Sequence, residues 1–277
     1  MANHPSVILL GSKPGAAVAL SLLIARKWDI RYVVVSKTIG HPWIGGQSLA
    51  DLAREKGIDV IVQSQIPRRD QVDFVISYMY RHLVKTDVIA LAGRAAVNFH
   101  AGPLPEYGGW AFYNVAILEN AQEYGCTCHY LDEGFDTGPL LKVRRFAVDT
   151  SCETACSLER KTQQEMIKLF VDFCDIVETG EPLPCEEQDR SQSRYLTQPE
   201  FDALKHIPPE ADGETVQRYA RAFWYPPYLC AYTLVGGARV EVVPDLVKED
   251  LARLIHQDDL DNLRQAVKGY SAEKGRP

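Results

Sequence analysis

No apolar run in this 277-residue chain approaches the roughly 18 residues that a membrane-crossing helix needs, so a membrane partner is not expected. The opening Met1-Ala2-Asn3-His4-Pro5 lacks the basic-then-apolar pattern of a secretory signal, which points to a cytoplasmic protein. The seven cysteines are an odd number without the rhythm of a disulfide framework. Cys126-Thr127-Cys128 and the Cys152/Cys156 pair also miss the usual zinc spacing, so reduced thiols and no metal are expected. An excess of positive charge is missing too. The net charge is −7, and residues 185–277 carry 12 Lys and Arg against 16 Asp and Glu, a net of −4. A nucleic-acid-binding appendage should be basic. This composition argues against a polyanion as partner but leaves room for a nucleotide, which needs only a few local cations or amides.

What is present is ordinary globular composition, 46% hydrophobic and 24% charged, in a length that suits one large domain plus a small appendage. The run Val7-Ile8-Leu9-Leu10 ends in Gly11-Ser12-Lys13-Pro14-Gly15, and residues 16–26 read as a helix. Strands follow over 31–35, 59–62, 73–77 and 95–98, with a helix over 48–56 stopped by Gly57. Short apolar strands alternating with helices predict an α/β, doubly wound, largely parallel sheet covered on both faces. In such sheets ligands collect beyond the C-terminal strand ends, where segments 11–15, 80–82 and 98–100 all fall.

Further on, a helix over 110–120, strands over 125–131 and 140–148, and a long amphipathic helix over 151–178 are predicted. The last carries Leu158, Met166, Leu169, Phe170 and Phe173 on or near one face. Gly180 to Pro184 breaks it, and residues 186–194 read as a polar linker. Short helices over 195–204 and 212–222, a hairpin over 232–243 around Gly236-Gly237 and a charged helix over 245–268 complete the chain. The expected division is a catalytic domain, 1–184, and a C-terminal α+β subdomain, 185–277, with hairpin and helix.

The chemistry concentrates in residues 97–138. Asn98 and His100, two apart on an extended segment, point to one side, and Gly102-Pro103-Leu104-Pro105 then ends the strand and exposes them on a loop. Asp136 sits in a second loop, between Gly134 and Gly138. An amide can donate to a developing oxyanion, an imidazole can polarise or shuttle a proton, and a carboxylate can orient either the imidazole or a water.

Asn98-Phe99-His100 with its proline-rich loop, followed by Asp132-Glu133-Gly134-Phe135-Asp136-Thr137-Gly138, resembles the formyltransferases that use N10-formyltetrahydrofolate. Residues 72–83, ending Tyr80-Arg81-His82-Leu83, resemble in particular those acting on a nucleotide-linked amino sugar. The resemblance implies a Rossmann-like formyltransferase fold. It assigns catalysis to Asn98, His100 and Asp136, with Asn98 and His100 holding the oxyanion and Asp136 orienting His100 or a bridging water. It assigns the folate co-substrate to Arg81, His82 and Leu83 and to Leu131, Asp132, Glu133, Gly134 and Phe135. Ser12, Lys13, Tyr107 and Trp110 become candidate contacts of the acceptor, a small-molecule amine, and a homodimer is left open.

Each segment also has a plainer reading. Residues 11–15 could be a tight turn, since Gly-x-x-x-Gly lacks the third glycine of the dinucleotide fingerprint. Residues 131–135 could be a turn with surface carboxylates, and Trp224-Tyr225-Pro226-Pro227-Tyr228 an apolar lid or an acceptor-pocket wall. His129, inside a strand, reads as packed or supporting. The loop after His100 is Ala101-Gly102-Pro103-Leu104-Pro105, where the resembled family has Pro-Ser-Leu-Leu-Pro, so the acceptor's identity does not carry over. Alternatives are transfer to methionyl-tRNA or a small phosphorylated amine, formyltetrahydrofolate hydrolysis, and a non-catalytic nucleotide-binding module. The hydrolase is disfavoured because residues 1–10 leave no room for a leading regulatory domain.

Overall fold

A computed structural model describes residues 4–36, 48–109, 112–194, 196–253 and 256. Seven strands form one sheet: β1 (Ser6–Gly11), β2 (Asp29–Val34), β3 (Val60–Ile61), β4 (Val72–Tyr78), β5 (Ala92–His100), β6 (Glu123–Tyr130) and β7 (Leu140–Ala147). Their order is β3-β2-β1-β4-β5-β6-β7. The first five run parallel, and β6 and β7 are antiparallel to their neighbours. The strand order reverses between β1 and β4, so their C-terminal ends flank the crevice where such sheets take ligands.

Continuous apolar strands are explained by burial on both faces. Along β1, Val7 and Leu9 join one core while Ile8 and Leu10 join the other; Phe74 and Ile76 oppose Val75 in the same way along β4. The larger core lies under α1 (Pro14–Ala25) and α5 (Ala155–Thr179). In α5, Leu158, Thr162, Met166, Leu169, Phe170, Phe173 and Val177 recur at helical spacing and are all buried. Phe170 and Phe173 meet Phe99 with ring centroids 5.0 and 5.7 Å apart, tying the helix to the strand that carries Asn98. Each such side chain contributes on the order of 1.5–3 kcal/mol by leaving water. Thr154 caps the start of α5 by accepting from the Ser157 N–H, and Gly180, at φ +77°, ends it.

The remaining helices are α2 (Leu49–Glu55), α3 (Thr86–Ile89), α4 (Phe112–Leu118), α6 (Gln198–Ala203) and α7 (Gly213–Ala222), and β8 (Tyr232–Val235) and β9 (Ala238–Glu241) form the expected hairpin. The C-terminal region is not a loose appendage in its packing: Ile207, Ala222, Phe223 and Ala231 belong to the larger core, and Asn114 Nδ2 donates to the Ala222 carbonyl. Of the charged helix expected over 245–268, a short 3-10 turn at Asp245–Val247 and helical residues 248–253 are seen; 257–268 fall outside the described residues. Among the described residues no helix is long and apolar enough to cross a membrane. All seven cysteines are free, and burial pushes the Cys126 thiol up to about 12.

Two expectations change. The strand read over 95–98 runs from Ala92 to His100, because its ladder with β6 continues to the His100–Thr127 pair before Pro103 interrupts the chain. Asn98 and His100 therefore end a strand instead of standing on a loop. They are buried, at 9% and 6% exposure. The polar stretch 186–194 is also tied down: Leu140 N donates to the Glu186 carbonyl and Glu186 N to the Leu140 carbonyl, at 2.6 and 2.9 Å.

Candidate active site

Strand register builds the first part of the site. Asn98 of β5 stands opposite His129 of β6, on the same face, with Asn98 Nδ2 3.1 Å from His129 Nε2. His129 Nδ1 lies 2.8 Å from the Tyr130 carbonyl, which can only accept. That assigns the proton to Nδ1 and leaves Nε2 to accept from the Asn98 amide. Two residues along β5, His100 presents Nε2 to the Tyr107 carbonyl at 2.7 Å, so this nitrogen donates. The approach depends on Gly102, where a Cβ would sit 2.6 Å from the Tyr107 carbonyl oxygen and 2.9 Å from His100 Nε2.

Asp136 closes the cluster from the loop between β6 and β7. It adopts a left-handed conformation, φ +56°, which Asp tolerates better than most residues. Its Oδ2 accepts from Gly109 N at 3.0 Å. Its Oδ1 lies 3.5 Å from Asn98 Nδ2, His100 Nδ1 and His129 Nε2 alike. Burial alone would push this carboxyl up. Positive charge on the His100 and His129 rings, when they are protonated, and the Gly109 N–H outweigh it and hold Asp136 well below the usual carboxylate range. A carboxylate that stays ionised beside an imidazole and an amide, with all three at one end of the sheet, is equipped for proton transfer and oxyanion stabilisation. The His100 ring, however, has its Nε2–H engaged by Tyr107 and its Nδ1 facing a carboxylate. It has no free donor for an oxyanion, unlike the sharing of that charge read from the sequence.

These side chains border a cavity of about 280 Å³. Met79, at φ +48°, a conformation uncommon for a bulky residue, and Phe112, whose ring meets that of His100 at 4.9 Å, form its apolar walls with Phe135. Of the residues read as folate contacts, Arg81 and Phe135 line the cavity. His82 turns to Ser36, with Nε2 2.9 Å from its hydroxyl, and Leu83 is exposed while its carbonyl accepts from Gln63 Nε2. Asp132 accepts from Gly134 N and the Thr137 hydroxyl, shaping the loop from within; Leu131 packs on the smaller core and Glu133 is exposed.

Of the acceptor candidates, Lys13 reaches the cavity. Its ammonium is already engaged, by Glu159 at 3.0 Å and the Tyr225 hydroxyl at 3.0 Å. The Ser12 hydroxyl is buried and has no hydrogen-bond partner among the described residues. Tyr107 contributes its carbonyl to His100 and its ring to a second cavity, beside α4 and α7, of about 550 Å³. Trp110 lies outside the described residues. The sequence reading undervalued His129, which touches both Asn98 and Asp136. It also missed Gly109, whose contribution is a backbone N–H that no side-chain pattern reveals.

Residues 48–173 match the family described as formyl transferase. A methionyl-tRNA formyltransferase of Kosmotoga olearia is 28% identical over 250 residues, covering 85% of this chain and 78% of that protein. A GDP-perosamine N-formyltransferase of Brucella melitensis is 30% identical over 175 residues, covering 63% of this chain and 65% of that protein. Among solved structures, an N-formyltransferase from Helicobacter canadensis, in complex with folinic acid and dTDP-3-aminofucose, shares the fold with a TM-score of 0.71. It is 20% identical, over 84% of this chain and 85% of that one. A 4-N formyltransferase from Francisella tularensis gives 0.69 at 19% identity, over 86% and 96%. Residues 48–173 are thus similar to the formyl transferase family, and the fold is shared with solved N-formyltransferases over most of the chain.

Proposed function

We propose that this protein transfers a formyl group from N10-formyltetrahydrofolate to the primary amine of a nucleotide-linked amino sugar. The observation that carries the reading is the convergence of Asn98, His100 and Asp136 at the wall of one cavity. The relatives supply the acceptor class: the Brucella protein is named for a GDP-linked sugar, and the Helicobacter structure holds folinic acid with a dTDP-linked amino sugar. The chain suits a folate. Met79, Phe112 and Phe135 offer apolar surface to a flat ring, with Tyr80 and Arg81 along the cavity.

When bound, the folate would supply an activated formyl group; the protein's part is proton transfer and charge stabilisation. An attacking amine must shed a proton as its nitrogen bonds to the formyl carbon. His100 takes it at Nδ1, because Nε2–H is already given to Tyr107, and ionised Asp136 steadies the resulting cation. One Asn98 amide hydrogen is held by His129. The other, only loosely directed at Asp136 across 3.5 Å, can swing to the developing oxyanion. Returning the proton from His100 to the departing nitrogen restores the site. We place the whole set, Asn98, His100 and Asp136 with His129 in support, in these roles.

Transfer to methionyl-tRNA is the second reading, favoured by the long alignment with the Kosmotoga enzyme. Residues 185–277, at net −4, lack the excess of Lys and Arg that would neutralise a polyanion's phosphates. Labelled formyl donor, offered with a panel of nucleotide-linked amino sugars and with charged initiator tRNA, distinguishes the two. The expected result is faster transfer to at least one sugar. Faster transfer to tRNA than to every sugar would overturn the choice of acceptor and leave the formyl chemistry standing.

A further inference from the structure

Residues 184–194 are exposed throughout except at Gln188, which is half-buried. The pairing of Glu186 with Leu140 brings that side chain under the loop that carries Asp136. Gln188 Nε2 donates to the Asp136 carbonyl at 2.9 Å and to the Gly138 carbonyl at 2.6 Å, and Arg190 donates to the intervening Thr137 carbonyl at 3.3 Å. Three successive carbonyls of this loop are thus held by two side chains from a distant part of the sequence. The loop needs holding. Asp136 is in the left-handed region, and its Oδ1 meets three partners at 3.5 Å, the outer limit of a hydrogen bond. A shift of a few tenths of an ångström separates engagement from none.

We infer that Gln188 is a positioning residue for formyl transfer: its amide, clamping the carbonyls of Asp136 and Gly138, fixes the carboxylate against His100 and Asn98. The inference rests on the proposed role of Asp136. Gln188 reaches neither the cavity nor a reacting atom, so its removal should act on turnover and spare binding. Both bonds run from an N–H to a carbonyl, so the side chain must donate. An acceptor of the same size should fail.

The test uses the full chain, labelled formyl donor and an amino-sugar nucleotide that it formylates. Gln188→Ala should lower kcat about tenfold, equivalent to about 1.4 kcal/mol, with both KM values, the affinity for a non-reactive folate analogue and Tm unchanged. Gln188→Lys, a long donor, should recover most of the loss. Gln188→Glu, isosteric but facing two carbonyls with an acceptor, should be no better than Ala. Asp136→Asn serves as the control. If it keeps turnover, the role proposed for Asp136 fails, and the clamp has nothing to position. If it is inactive while Gln188→Ala keeps full kcat, the clamp alone is wrong. A parallel loss of kcat, analogue affinity and Tm in all three Gln188 variants would reduce it to an ordinary structural contact.

Discussion

At the scale of single residues, Asp136 is the group whose state matters most. Its folded-state carboxyl lies below the ordinary value near 4, so its ionisation stabilises the fold above that pH. The contribution is lost as pH falls through the lowered folded value. Asp136→Asn should therefore be less stable than the parent at neutral pH, with the gap narrowing below about pH 4, as followed by urea unfolding at several pH values. A gap constant from pH 3 to 7 would mean that the carboxylate is not held by His100, His129 and Gly109. That Asn98, His100 and Asp136 come together was legible in the sequence, through their spacing and flanking glycines. The tautomer of His100 and its bond to the Tyr107 carbonyl were not, because they depend on where a main-chain oxygen seven residues away returns.

At the scale of elements, strand pairing decides which side chains meet. His129 faces Asn98 because β6 runs antiparallel to β5 in a register set by a full ladder, from the Val97–Tyr130 pair to the His100–Thr127 pair. A one-residue slip would send His129 to the other face. Position inside a strand shows that a residue alternates in and out, and nothing in it fixes the partner; hence the sequence identifies a strand histidine and not its contact. His129→Leu should reduce kcat about tenfold by freeing the Asn98 amide, with analogue affinity retained. His129→Gln, which still offers an acceptor, should lose less. Equal rates in both variants and the parent would remove His129 from the site. The strands, α1 and α5 were readable from apolar period and glycine punctuation. The docking of residues 186–194 was not, since backbone pairing at Glu186 leaves no hydrophobic trace.

For the whole molecule, packing joins what chain order separates at residue 184. Besides the core residues Ile207, Phe223 and Ala231, Tyr225 bonds both Lys13 and Glu159, and Cys156 N donates to the Trp224 carbonyl. Residues 1–184 alone would expose the apolar surface that Phe223 and Ile207 cover, at about 25 cal/mol for each Å² returned to water. We expect that fragment to lose the sharp thermal transition of the full chain and to bind a hydrophobic dye. A cooperative melt at the parent temperature would instead establish an independent domain ending at 184. The doubly wound sheet was legible as a whole, because alternation of short apolar strands and helices has few other solutions. How the C-terminal third packs was not, since its core residues Ile207, Ala222, Phe223 and Ala231 are scattered along the sequence without one continuous apolar period.

Single-turnover transfer of labelled formyl from N10-formyltetrahydrofolate to an amino-sugar nucleotide, compared between the parent chain and its Asn98→Ala and His100→Ala variants, bears most directly on the proposed chemistry. Both variants should slow transfer by on the order of a hundredfold or more, because each group acts on charge or a proton present only as the bond forms. Their affinity for a non-reactive folate analogue should match the parent's. Transfer at the parent's rate in both variants would contradict the assignment of this cluster to catalysis.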